Sequence, residues 1–169
     1  LTIVATVVAL VGCAGAGGDE TASQGRGAEG TETLDEVVRG HVGSIESFWQ
    51  RELPAVYGVG LDPVRRVSSF HGPDPSTHPR CNSVVGEVSL YAGNALYCRI
   101  EHTIVYDDRA FDHARAAHGP MAVGVVLAHE YAHAIQAQTG EHGATRGLEL
   151  QADCFAGAWV ASGAVSRSA

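Results

Sequence analysis

The chain predicts an α+β fold, a small, mostly antiparallel sheet packed on helices, and three observations carry that expectation. Long segments on either side of the middle repeat their apolar residues at helical spacing. Between them lie short β-branched and aromatic runs bounded by Pro, Gly and Asn. With 45% hydrophobic residues in 169, there is enough apolar side chain for one modest core. Eleven basic residues, all of them arginine, stand against 19 acidic ones, and the net charge of −8 lacks the basic face that a nucleic-acid binder needs.

The chain opens LTIVATVVALVGCAGAGG. Its apolar run, Leu1 to Val11, is too short to span a bilayer and fits the h-region of a signal peptide. It ends in LVGC, which resembles a bacterial lipobox. Residues 1–12 are therefore read as part of a signal peptide, and Cys13 as the lipidated first residue of the mature protein. Residues 13–32 continue as a disordered tether of Gly, Ala, Ser, Thr and acidic residues. This reading places the protein outside the cytoplasm, anchored to the bacterial cell membrane through Cys13. Residues 33–169 form the single domain, read as truncated at its C-terminal end.

The first helix starts at a capping box, Thr33 with Glu36. Leu34, Val37, Val38, Ile45, Phe48, Trp49 and Leu53 follow at helical spacing, and Pro54 is expected to stop the helix. VRRVSSF, from Val64 to Phe70, reads as a strand and GPDPSTHP as a loop. Asn94 to Cys98 and Thr103 to Asp107 read as strands joined by a turn; Thr103 to Tyr106 is a candidate sheet edge for an extended substrate, with ordinary sheet pairing the open alternative. Asp108 is the expected cap of a helix reaching His118. Pro120 then opens another at N1, which ends at Gly140. A last helix covers about Ala144 to Ser162. Cys81 and Cys98 could staple the segment between them, a bridge that contributes about 3 kcal/mol by loop closure; two free buried thiols are the alternative. Cys154 reads as a small core residue.

The stretch LAHEYAHAIQ carries the chemistry. His129 and His133 are four apart, so a helix aims both imidazoles at one point, as zinc requires. Glu130 is turned about 100° from the first of them, close enough to hold a metal-bound water without being a ligand. A third ligand is needed. The extended pattern HExxHxxGxxH fails here, because Gln136 and Thr139 occupy its last two fixed positions. LELQADCFAGAW supplies an alternative: Glu149 reaches the metal and Asp153, one turn on, holds a ligand histidine by its ring N–H. The converse assignment of that pair, and His142 as third ligand, stay open. His142, His102 and Tyr131 are the candidates for stabilising the oxyanion.

AHEYAHAIQ followed by LELQADCFAGAW, with the preceding LYCRIEHTIVYDD, resembles the bacterial neutral zinc metallopeptidases over roughly residues 34–161. Their first motif is AHExxHHxQ-like; here Ala134 replaces the second of the adjacent histidines. The resemblance implies a zincin-like metalloprotease fold with the ligands on its helices. It implies Zn²⁺ on His129, His133 and Glu149, Glu130 as general base, a protein or peptide substrate, and a Cys81–Cys98 disulfide. The rival is a non-catalytic zinc-containing lipoprotein serving as a binding or scaffold module. A structural zinc site has no use for Glu130, and it normally closes with four protein ligands.

Overall fold

The computed structural model describes residues 32–82, 91–141 and 143–163. The signal-peptide and lipidation readings (residues 1–12 and Cys13), most of the tether, and His142 lie outside the described residues. Four helices are described: α1 (Leu34–Tyr57), α2 (Asp108–His118), α3 (Pro120–Thr139) and α4 (Thr145–Ala161). Three strands form one sheet: β1 (Arg66–Phe70), β2 (Ala95–Cys98) and β3 (Thr103–Asp107). Among the described residues, no helix is long and apolar enough to cross a membrane.

The sheet is mixed. Its order is β1-β3-β2, with β1 parallel and β2 antiparallel to β3. This corrects two expectations. One of the two pairings is parallel, so the sheet is not mostly antiparallel. Thr103–Asp107 is the central strand, paired on both sides, and cannot be the edge that takes an extended substrate. All five of its residues are buried, as a strand covered on both faces requires.

Helix α1 begins where the capping box puts it: Thr33 Oγ1 accepts from Glu36 N at 3.3 Å, and Glu36 Oε2 accepts from Thr33 N at 2.8 Å. It does not stop at Pro54. It runs one turn further, to Tyr57, and ends on a left-handed Gly58 whose N–H reaches the Pro54 carbonyl. Proline removes one hydrogen bond, to the carbonyl of Gln50, but that residue is exposed and the loss falls in a final turn. The apolar face of α1 packs with Ile104 and Tyr106 of β3, Leu127 and Tyr131 of α3, and Trp159 of α4. Full burial of such side chains stabilises by roughly 1.5–3 kcal/mol each. A second cluster, around Phe70, Tyr91 and Val105, includes the disulfide between Cys81 and Cys98. Cys154 is exposed rather than in the core. It sits on the side of α4 away from Ala152, Ala156 and Trp159, which are the residues that face inward.

Helix α2 is capped by Asp107, not Asp108, whose carboxylate instead meets His71 at 3.1 Å. Asp107 is buried and its carboxylate takes the N–H groups of Arg109 at 3.0 Å, Gly72 at 3.2 Å and Gly93 at 2.8 Å. Burial alone would raise its pKa; the backbone donors, including Ala110, outweigh that and hold it below the usual carboxylate range. One side chain thus ties the end of β3 to two loops and to α2. Gly72 has no room for a side chain, because a Cβ there would run into Asp107 Oδ2. Gly72→Ala should therefore push the carboxylate off its donors and lower stability by about 2 kcal/mol, from a lost cap and a stranded N–H. Equal urea midpoints for variant and wild type would contradict this.

Candidate metal centre

The sequence builds α3 from Pro120 at its first turn to a left-handed Gly140, which caps it through an N–H to the Gln136 carbonyl. Val123, Leu127, Tyr131 and Ile135 anchor its inner side in the main core. That leaves His129 and His133 one turn apart on a partly open face, their rings 4.9 Å apart and nearly perpendicular. Helix α4 lies against α3 through small residues; Ala132, Ala152 and Ala156 are all buried. Alanine on both surfaces lets two helices approach closely enough for short side-chain bridges between them.

The bridges are made by acids on α4. Glu149 Oε2 stands 3.2 Å from His129 Nε2 and 3.5 Å from His133 Nε2. One ligand atom from each of these three residues lies within 4.8 Å of the others. Donor atoms about 2.0–2.1 Å from one tetrahedral zinc would stand roughly 3.3–3.4 Å apart. The two separations from Glu149, 3.2 and 3.5 Å, bracket that value, so the donor set, two imidazole nitrogens and a carboxylate oxygen, fits a zinc ion. Asp153 lies on the opposite side of the first ring, with Oδ1 2.9 Å from His129 Nδ1. Gln136 Oε1 holds the corresponding place on the second ring, 2.8 Å from His133 Nδ1.

Glu130 is not part of that group. Its Oε2 accepts the backbone N–H of Tyr97, on β2, at 2.7 Å. This contact brings an edge strand beside the helix that carries the histidines. Burial pushes the Glu130 carboxyl up to about 7, with Glu149 adding to the rise; His133 and the Tyr97 N–H pull against it. A half-buried carboxyl of raised proton affinity next to a potential metal site can both take and return a proton.

Tyr131 points elsewhere. It is fully buried, and its hydroxyl accepts from Val64 N at 3.3 Å and donates to Glu46 at 3.2 Å, so it joins α1, α3 and the lead-in to β1. The His102 ring is held between the Tyr97 hydroxyl at 2.8 Å and the Asp62 carbonyl at 3.2 Å, with both nitrogens engaged. Sequence reasoning missed two participants. Gln136 was visible as a failed glycine position and as the last residue of the AHExxHHxQ-like motif, with no role attached, although it lies three residues from His133, on the same side of the helix. The Tyr97 contact uses a backbone N–H, which no residue pattern announces.

No family model and no solved structure matches the chain. In an alignment 105 positions long that covers 50% of the chain, it is 34% identical to an uncharacterised protein of Mycobacterium bovis and to uncharacterised proteins of two Mycobacterium tuberculosis strains. The match covers 36% of each relative, so the chain spans about a third of the length of these proteins.

Proposed function

We propose that this protein is a zinc-dependent metallopeptidase of zincin-like fold, in which His129, His133 and Glu149 hold the metal and Glu130 is the general base. The observation that carries the reading is the convergence of those three ligand atoms beside a half-buried carboxyl that is not one of them. In the same reading the domain is an extracytoplasmic lipoprotein tethered through Cys13, with protein or peptide as substrate.

Zinc held there would supply Lewis acidity, lowering the pKa of water to near neutrality and polarising a substrate carbonyl. Glu149 and the two imidazoles would hold the ion. Glu130 takes a proton from the attacking water on its carboxylate and passes it to the leaving amine nitrogen as the peptide bond breaks. A cation nearby lowers the proton affinity of Glu130, and burial offsets this, keeping the group basic enough for both transfers. The Tyr97 N–H fixes the carboxylate against β2. That strand, an edge of the sheet, replaces β3 as the place where an extended substrate could add a strand.

The test is metal content followed by cleavage. The purified protein should carry about one zinc per chain and cleave casein or an unstructured peptide. A chelator should abolish cleavage, and added zinc should restore it. Zinc without cleavage of any peptide would favour the non-catalytic lipoprotein. A protein that takes up no zinc would end the metal assignment.

A further inference from the structure

Gln136 lies one turn beyond His133 on α3 and is only 5% exposed. Its amide touches both halves of the centre. The nitrogen is 2.7 Å from the Leu148 carbonyl and 3.0 Å from Gln151 Oε1, both on α4. A backbone carbonyl can only accept, so the amide nitrogen must face it, and the orientation of the side chain has no second solution. That turns Oε1 toward His133 Nδ1, at 2.8 Å. An amide oxygen also only accepts, so Nδ1 must carry the proton. In a neutral ring Nε2 then holds the lone pair, on the side where Glu149 Oε2 stands at 3.5 Å. A fixed backbone oxygen beside the third ligand thus dictates, through one amide, where the second ligand presents its electrons.

His129 has no such constraint. Its nitrogens face two carboxylates, Asp153 at 2.9 Å and Glu149 at 3.2 Å, and a neutral ring has one proton for two acceptors. Asp153 is also 67% exposed, so water can take its place. The two supporting residues therefore differ in kind: one is a replaceable surface acid, the other a buried amide with its donors and acceptor all engaged.

We infer that Gln136 is a positioning residue that locks His133 in its Nδ1–H tautomer and fastens the start of α4, next to Glu149, to the same amide. Second and third ligands are set together by one side chain before a metal arrives. The consequence for zinc rests on the proposed metal site; the tautomer does not.

The first measurement is the tautomer, read from imidazole nitrogen shifts in the metal-free full chain at a pH where the ring is neutral. His133 is assigned by the loss of its signals in His133→Ala. The expected result is Nδ1–H in the wild type; an Nε2–H ring there overturns the inference. Gln136→Leu should release the ring into a mixture and lower zinc affinity, measured against a chelating dye, by about 10–100-fold. Gln136→Glu, still an acceptor, should keep Nδ1 protonated. A folded Leu variant with unchanged tautomer and unchanged affinity also overturns the inference. If the Leu variant does not fold, the wild-type tautomer and the Glu variant decide. Should the wild type show Nδ1–H and yet take up no zinc, the metal site is wrong and the amide lock stands.

Discussion

Replacing Glu130 with glutamine should lower peptide hydrolysis by about 10²–10⁴-fold, while zinc affinity stays close to wild type. The substitution isolates one property. Glutamine has the same shape, and its Oε1 can still accept the Tyr97 N–H that Glu130 accepts at 2.7 Å. It cannot accept a proton from water at neutral pH. The expected loss corresponds to roughly 3–5 kcal/mol of barrier. Zinc affinity should hold because the proposed ligand atoms belong to His129, His133 and Glu149, not to Glu130. The measurement is kcat/KM on a fluorogenic peptide, with zinc content determined on the same samples. A variant that binds zinc and cleaves at the wild-type rate would remove Glu130 from the proposed mechanism. A variant that loses zinc as well would make Glu130 a contributor to the metal site, contrary to the geometry.

The parts of the site that follow from helical periodicity were legible in the sequence, and those that depend on tertiary approach were not. His129 and His133, and Glu149 and Asp153, are pairs four apart, and a helix places such pairs on one face whatever the rest of the chain does. The end signals at Thr33, Pro120 and Gly140 also act locally, and the helices start or stop there. Pro54 failed as a stop signal because proline discourages a helix without forbidding its last turn. The parallel pairing of β1 with β3 joins residues 66–70 to 103–107, and nothing local in either strand specifies it. Asp107 and Asp108 are adjacent and alike in sequence. Only the fold, by bringing Gly72 and Gly93 to Asp107, decides which one caps α2. Cys154 was a misreading of an available pattern: the inward positions of α4 are 152, 156 and 159, and residue 154 lies on the other side.

The same Glu130→Gln change should stabilise the metal-free protein at pH 8, by up to about 3 kcal/mol, even as it removes activity. Burial, with Glu149 adding to it, raises the Glu130 carboxyl from 4.5 to about 7 in the folded state. A raised carboxyl pKa means that the folded protein holds this proton more tightly than the unfolded chain does. Stability from this group is therefore greatest below the unfolded value, declines as pH rises from about 4.5 to about 7, and stays at its lowest above that. Glutamine does not titrate, so the variant should gain on the wild type across that window and match it near pH 4.5. Urea unfolding in the presence of a chelator, at several pH values, measures the difference. Zinc should narrow it, because a cation beside Glu130 favours the ionised form and recovers part of the cost of burying it. A difference that does not change with pH would show that the carboxylate is not ionising against its surroundings. A difference that grows with pH and shrinks with zinc is what a half-buried base held ready beside a metal should give. Such a group costs stability in the resting fold, and in the proposed function its proton transfer is what that cost serves.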